Sequence, residues 1–213
     1  MKIDVLTLFP EMIERAMDYS IPRRAQEKGL VEIKTHNLRE FAVDQRGTVD
    51  DTPYGGGPGM ILRVDVADHA FENIDPDHKA HRIMLTPDGI EFNQDKAKEY
   101  SKKDNLIFLC GRYEGFDARI DEFVDEKVSI GKYVLSGGEL PALVIMDSVI
   151  RLITGVLGNE ESLKSETFEE NTTDYPQYTR PAEYEGLEVP NVLQNGDHQK
   201  IKQWRDSFRR KTD

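Results

Sequence analysis

Short apolar runs, several of them followed at once by glycine- or proline-rich loops, are the feature that most constrains the fold. Strand-like runs occupy residues 2–9, 31–36, 82–86, 105–110 and 127–130. Several are apolar at nearly every position, which is typical of strands buried on both faces of a sheet. These runs predict a central sheet that is covered on both sides.

Helical segments separate these strands. Helices are predicted over residues 11–27, with Pro22 near the far end, over 93–102, and over 139–153, where the helix is apolar nearly all round. Strands that alternate with helices favour an α/β fold with a mostly parallel sheet.

Three loops rich in small residues, at 86–89, 111–115 and 131–138, follow predicted strands. Taken one at a time, each is most simply an ordinary tight turn. In a parallel sheet, however, ligands bind beyond the carboxyl ends of the strands, where these loops would meet. Because glycine lets a ligand approach the backbone, the three loops together predict a pocket for an adenosine-type molecule.

Several common classes of protein are excluded. The single cysteine, Cys110, rules out a disulfide framework, and the five histidines lack the spacing of a metal site. The phosphate-loop, dinucleotide-binding, serine-hydrolase and zinc-protease motifs do not occur. No signal peptide and no apolar run of about 18 residues is present. The sequence therefore predicts a cytoplasmic protein without a membrane span.

The charge distribution leaves two interpretations open. A formal net charge of −12 argues against a nucleic-acid partner, yet residues 196–213 carry six basic and three acidic side chains. A local basic patch is sufficient for phosphate binding. The alternative is a solvated surface helix.

The chain is predicted to have two domains joined by a linker. Residues 159–173 are rich in acidic side chains and have no hydrophobic period, which indicates a flexible linker. They would join a domain of residues 1–158 to a small one of residues 174–213, whose basic helix lies near residues 198–210.

Long motifs resemble the bacterial tRNA (guanine-N1)-methyltransferases, a family of the SPOUT class. The matching segments are DDTPYGGGPGM at 50–60, CGRYEGFDARI at 110–120, SIGKYVLSGGELPALV at 129–144, IRLITGVLG at 150–158 and DYPQYTRPAEYEGLEVPNVL at 174–193. Several are ten residues or longer, so the resemblance is specific.

The resemblance implies a fold, an activity and partners. The fold would be an α/β sheet threaded as a deep trefoil knot, plus a small helical C-terminal domain. The activity would be methyl transfer from S-adenosylmethionine to N1 of guanine 37 in tRNAs with a preceding guanine. The family acts as a homodimer with shared active sites and uses Mg²⁺, for which no protein ligand is assigned here. A non-catalytic RNA-binding protein and a sister methyltransferase are the alternatives.

The resemblance also assigns the residues that hold the methyl donor, and they lie in the three loops described above or within three residues of them. They are Leu85, Thr86, Pro87, Gly111, Tyr113, Glu114, Ser129, Ile130, Gly131, Tyr133, Leu135, Gly137, Gly138 and Pro141.

Three catalytic candidates follow from the resemblance. Arg151 stands where the family places its catalytic arginine, although an ion pair with Asp147 one turn earlier is the alternative. Glu166 stands where the family has its aspartate base, and a glutamate has the same chemistry. Asp174 is the other candidate base, and a turn or helix-capping role is the alternative for it.

Three further residues are predicted to contact the tRNA. Glu114 matches the family residue that contacts the guanine before the target, and Asp50 lies in a loop that the family places near the target nucleotide. Their alternatives are a loop-closing carboxylate and a glycine-rich surface hairpin. Arg180 is expected to contact the tRNA backbone.

Overall fold

The structure, a computed structural model, describes residues 1–157 and 174–210. The chain divides into two compact units, Met1–Gly158 and Asn159–Asp213. The linker prediction for residues 159–173 lies outside the described residues.

The first unit is built on a five-stranded sheet with the order β2-β1-β6-β5-β7, in which every neighbouring pair is parallel. Its strands are β1 (Lys2–Thr7), β2 (Glu32–Asn37), β5 (His81–Glu91), β6 (Asn105–Cys110) and β7 (Glu126–Ser129). A short antiparallel pair, β3 (Asp50–Asp51) and β4 (Ile61–Leu62), lies outside this sheet. The predicted α/β class with a parallel sheet is confirmed.

Helices cover the sheet and enclose two hydrophobic cores. They are α1 (Pro10–Met17), α2 (Ser20–Glu27), α3 (Val64–Ile74), α4 (Gln94–Tyr100) and α5 (Glu139–Ile150). On β6, Leu106 and Phe108 belong to the core beneath α1, α4 and α5, whereas Ile107 and Leu109 belong to the core beneath α3. Successive side chains of a strand point to opposite faces, so β6 is buried on both.

The prediction of one helix over residues 11–27 is wrong. Two helices, α1 and α2, occupy this segment and meet at Asp18 and Tyr19. Pro22 lies in the first turn of α2, where its missing N–H needs no partner. In a continuous helix the same ring would clash with the carbonyl of Asp18, which explains the break.

The predicted end of the strand at residue 86 is also wrong, because β5 continues to Glu91. Leu85 and Ile90 both pair with Val128 of β7. Residues 86–89 therefore form a loop that interrupts β5, and the strand pairs with β7 on both sides of this loop. Thr86 donates a hydrogen bond to Asp88 across this loop. The loop is therefore fixed at the carboxyl end of the sheet.

The second unit is described from Asp174 to Arg210. It contains a hairpin of β8 (Glu183–Tyr184) and β9 (Leu187–Glu188), followed by α6 (Asn191–Gln194) and α7 (His198–Phe208). Asp197 caps α7 by accepting hydrogen bonds from the backbone N–H groups of Gln199 and Lys200. Among all described residues, no helix is both long and apolar enough to span a membrane.

Candidate active site

A cavity of about 220 Å³ opens at the carboxyl ends of β5, β6 and β7. The three predicted loops form its walls, as the topology of a parallel sheet requires. All fourteen residues assigned to the methyl donor line it: Leu85, Thr86, Pro87, Gly111, Tyr113, Glu114, Ser129, Ile130, Gly131, Tyr133, Leu135, Gly137, Gly138 and Pro141. The structure thus brings together residues that are up to 56 positions apart in the chain.

Two of the loops are joined through their backbones at Gly138. Its N–H donates a hydrogen bond of 2.9 Å to the carbonyl of Gly111. A Cβ at position 138 would lie 2.7 Å from Cα of Cys110 and 2.9 Å from the backbone nitrogen of Gly111. Only glycine fits there, because the obstructing atoms belong to the backbone of a central strand.

A buried polar network lies directly beneath the cavity wall. Glu139, the first residue of α5, is 1% exposed. Its Oε1 accepts a 2.7 Å hydrogen bond from the Thr7 hydroxyl, and its Oε2 lies 2.9 Å from Arg112 Nη2. A Cβ at Gly137 would lie 2.4 Å from Arg112 Nε and 2.6 Å from Glu139 Oε2, so the Gly137 backbone rests on this ion pair.

Arg112 has further contacts that fix its orientation. Its guanidinium lies 4.4 Å from the centroid of the Phe9 ring, and Nη1 donates to the Ser136 carbonyl at 3.2 Å. Arg112 therefore links the loop after β6 to both the loop before α5 and the end of β1. A planar, permanently charged guanidinium suits such a multiple contact.

The β3–β4 hairpin is attached to the rim of the cavity. The Leu62 N–H donates to the Gly115 carbonyl, and the Glu114 N–H donates to the Met60 carbonyl, both at 2.9 Å. The Glu114 side chain packs against Gly59 of the glycine-rich loop. This contact fits the loop-closing alternative for Glu114 and also holds its carboxylate at the cavity.

Asp50 and Tyr113 meet at this rim. Tyr113 has a φ of 61°, in the left-handed region that residues other than glycine rarely adopt. Partial burial and the neighbouring Asp50 carboxylate raise the pKa of the Tyr113 hydroxyl, while Arg39 acts in the opposite direction. The structure thus places a predicted tRNA-contacting residue beside a predicted donor-binding residue.

Arg151 is not brought to the cavity of its own chain. It follows the last turn of α5, and its N–H donates to the Asp147 carbonyl at 3.3 Å. It lies twelve residues after Glu139, which is about 18 Å along a helix. The end of α5 near the cavity and the end carrying Arg151 are therefore far apart.

The remaining predicted residues lie elsewhere in the chain. Glu166 is outside the described residues. Asp174 and Arg180 belong to the second unit. The Asp174 carboxylate accepts hydrogen bonds from the Tyr175 N–H at 2.8 Å and from Gln177 Nε2 at 3.0 Å. These contacts are local, and residues 174–179 form neither a turn nor a helix, so the turn or helix-capping alternative for Asp174 is not observed.

Thiol and metal chemistry find little support among the described residues. Cys110 is fully buried, and burial raises the pKa of its thiol well above the usual value, so it is a poor nucleophile. In the described part of the chain, no group of three or more histidine, cysteine, aspartate or glutamate side chains could hold a metal ion.

The family model described as tRNA (Guanine-1)-methyltransferase TrmD matches residues 1–213, the whole chain. The chain belongs to this family. The family is one of the SPOUT methyltransferases, and its members need a methyl donor.

Relatives with the name tRNA (guanine-N(1)-)-methyltransferase are similar over nearly the whole chain. One from Carboxydothermus hydrogenoformans is 50% identical over 206 residues, covering 96% of this chain and 81% of the relative. One from Dictyoglomus turgidum is 48% identical over 205 residues, with 96% and 83% covered. One from Staphylococcus aureus is 48% identical over 206 residues, with 96% and 84% covered.

Sequence reasoning missed the residues that support the loops around the cavity. Thr7 and Glu139 were not singled out, because neither lies within a predicted loop. The signal available was a charged residue, Glu139, at the start of a helix that is apolar from Leu140 to Met146. A glutamate in that position is expected to be buried only when it has a partner.

Proposed function

We propose that this protein transfers a methyl group from S-adenosylmethionine to N1 of guanine 37, next to the anticodon, in tRNAs with a preceding guanine. One observation carries the proposal: all fourteen residues that the family resemblance assigns to the donor line a single cavity. The names of the relatives support the guanine N1 and tRNA parts of it.

The cavity suits the donor chemically. Glycines from two of its loops expose backbone amides and carbonyls, which can bind the edges of an adenine ring. Arg112 and Glu114 are the charged residues among those lining it. A single arginine whose charge is already paired with Glu139 is a poor site for a polyphosphate. The same weak positive charge is compatible with a positively charged sulfonium compound.

Two residues have separate roles in the proposed reaction: one accepts a proton and the other stabilises negative charge. The donor, when bound, supplies a methyl group activated by a positive sulfur. Guanine N1 carries a proton at neutral pH, and Glu166 is proposed to accept it. The negative charge that then develops on O6 is proposed to be stabilised by Arg151. Asp50, Glu114 and Arg180 are proposed to contact the tRNA.

We also propose a homodimer with shared active sites. Leu140 and Val144, one turn apart on α5, are 49% and 47% exposed, and Phe9 and Met12 beside α1 are 46% and 39% exposed. Such apolar exposure is typical of an interface. If two α5 helices pack antiparallel about a two-fold axis, Arg151 of one subunit approaches the cavity of the other.

The knot, the linker and the role of the C-terminal domain are part of the same proposal. The trefoil knot rests on the family to which the chain belongs. The linker at 159–173 and the tRNA-binding domain at 174–213 are proposed likewise. Mg²⁺ and the cytoplasmic location stay predictions.

Labelled S-adenosylmethionine and two unmodified tRNA transcripts, with guanine or adenine at position 37, test the function. We expect label in the guanine transcript alone, with the modification mapped to N1. Binding of both transcripts without transfer would favour the non-catalytic alternative. Label at another atom or nucleotide would favour a sister methyltransferase.

A second experiment separates the two candidate bases. We expect Glu166→Gln to slow single-turnover methyl transfer by about 10²- to 10⁴-fold, since the amide cannot accept the proton. Asp174→Asn is the matched control, because the Asp174 carboxylate already accepts hydrogen bonds from the Tyr175 N–H and from Gln177 Nε2. Near-normal transfer in Glu166→Gln together with loss in Asp174→Asn would reverse the assignment.

A further inference from the structure

A second cavity, of about 740 Å³, lies entirely within the second unit. The segment before the β8–β9 hairpin forms one wall, and α7 forms the other. Val189, Leu193 and Ile201 contribute apolar side chains to its lining. Of the residues that line it, only Arg180 is among the predicted tRNA contacts, and the cavity shares no lining residue with the proposed donor site.

Two aromatic side chains that pack against each other line this cavity. The rings of Tyr178 and Trp204 both line it, with centroids 6.2 Å apart and planes tilted by 55°. The Phe208 ring also packs on Trp204, with ring centroids 4.6 Å apart. Tyr178 is 50% exposed, so its ring is available to a ligand. Planar rings held open to solvent are the usual platform on which unpaired bases stack.

Cationic groups accompany these rings. Arg180 and Arg205 also line the cavity, and the Arg205 guanidinium lies 4.7 Å from the centroid of the Tyr175 ring. Arg209 lies 5.9 Å from the same ring. None of the lining residues described for this unit is acidic, although the whole chain carries a net charge of −12. The electrostatics therefore favour an anionic ligand.

Rings and arginines together indicate single-stranded nucleic acid rather than a phosphate or a paired helix. A bare phosphate would not need stacked rings, and a double helix cannot insert a base into a cavity without unpairing it. Unpaired nucleotides satisfy both features, because the base stacks while the phosphates contact the arginines.

We propose that this cavity binds an unpaired nucleotide of the tRNA other than the guanine that is methylated. The base stacks on the exposed face of the Tyr178 ring, beside Trp204, and Arg180 and Arg205 contact the adjoining phosphates. This site rests on the proposed function for the identity of the RNA. It adds to affinity and to the choice of substrate, and it takes no part in the chemical step.

The single tryptophan makes the proposal directly measurable, because Trp204 is the only one in the chain. Tryptophan emission of the full-length protein is recorded during titration with an unmodified tRNA transcript, and binding is followed independently by fluorescence anisotropy of labelled RNA. We expect saturable quenching at the same RNA concentrations as binding. A fully paired RNA duplex should bind by charge but leave the emission unchanged.

Variants distinguish stacking from structural damage. Tyr178→Ala should weaken tRNA binding by about tenfold or more, and Tyr178→Phe should restore it, because a phenyl ring still stacks. The matched control is Tyr184→Ala on the hairpin, where a 63% exposed tyrosine lies outside the cavity lining and removal should change binding less than twofold.

The outcomes separate this proposal from the function on which it rests. Methyl transfer with unchanged Trp204 emission, or equal quenching by the duplex, would refute the cavity and leave the function intact. Quenching and the Tyr178 effect without methyl transfer would support the cavity and refute the function. Equal losses of binding in Tyr178→Ala and Tyr184→Ala would also refute the cavity.

Discussion

Gly138→Ala is expected to lower the affinity for S-adenosylmethionine by about tenfold or more, as isothermal titration calorimetry would measure. The new Cβ would lie 2.7 Å from Cα of Cys110 and 2.9 Å from the backbone nitrogen of Gly111. Neither atom can yield without moving β6, so the loop before α5 must shift and break its 2.9 Å hydrogen bond to Gly111. Overpacking of this kind costs about 1–3 kcal/mol, and 1.4 kcal/mol is a factor of ten.

The matched control is Gly29→Ala. A Cβ lacks space at Gly138, whereas at Gly29 it has space but an unfavourable backbone conformation. Gly138 has an ordinary φ of −80° but no space, whereas Gly29 has a φ of +67° and open space where a Cβ would lie. We expect Gly29→Ala to lose about 1–2 kcal/mol of stability and to bind the donor normally. Equal donor affinity in the two variants would show that the Gly138 contact does not shape the cavity.

Glu139→Ala is expected to lower the free energy of unfolding by about 3 kcal/mol and to weaken donor binding as well. Removal of the carboxylate takes away the ion-pair partner of Arg112 and the hydrogen-bond acceptor of the Thr7 hydroxyl. Breaking a buried ion pair from one side costs about 3–5 kcal/mol, and the lower end applies because Arg112 is 20% exposed. Chemical denaturation measures the stability, and calorimetry measures the binding.

An exposed ion pair of the same length provides the control. Arg15 and Glu11 lie one turn apart with the same 2.9 Å separation, but their side chains are 81% and 78% exposed. Glu11→Ala should change stability by less than about 0.5 kcal/mol. Glu139→Gln should recover part of the lost binding, because its amide oxygen can still accept from Thr7. If Glu139→Ala lowered the free energy of unfolding no more than Glu11→Ala, burial would not be what makes the Glu139–Arg112 ion pair stabilising.

Local sequence patterns were sufficient for most of the first unit. The predicted strand at 105–110 coincides with β6, because five consecutive buried side chains follow Asn105. The helix of residues 64–74 was missed, since it directly follows a loop without any hydrophobic period. Its buried face, formed by Val66, Ala67, Ala70 and Phe71, repeats at helical spacing and would have revealed it.

Local sequence patterns could not predict that β5 continues beyond residues 86–89. Residues 86–89 have the composition of a turn, and a turn predicts the end of a strand. In the structure the chain returns to the same partner, since Leu85 and Ile90 both pair with Val128. The part of β5 after this loop is held by its pairing with β7. Local propensity does not encode such pairing with a distant strand.

The sequence by itself determined the parallel α/β class, the loops that line the first cavity and, through long motifs, the family. These depend on short-range periodicity and on residue identity, both of which can be read along the chain. The tertiary structure alone decided which distant side chains meet: Thr7 with Glu139 across 132 positions, Glu139 with Arg112, and Asp50 with Tyr113. Strand order sets these contacts, because residues far apart in sequence become neighbours only once β1, β6 and α5 have packed together.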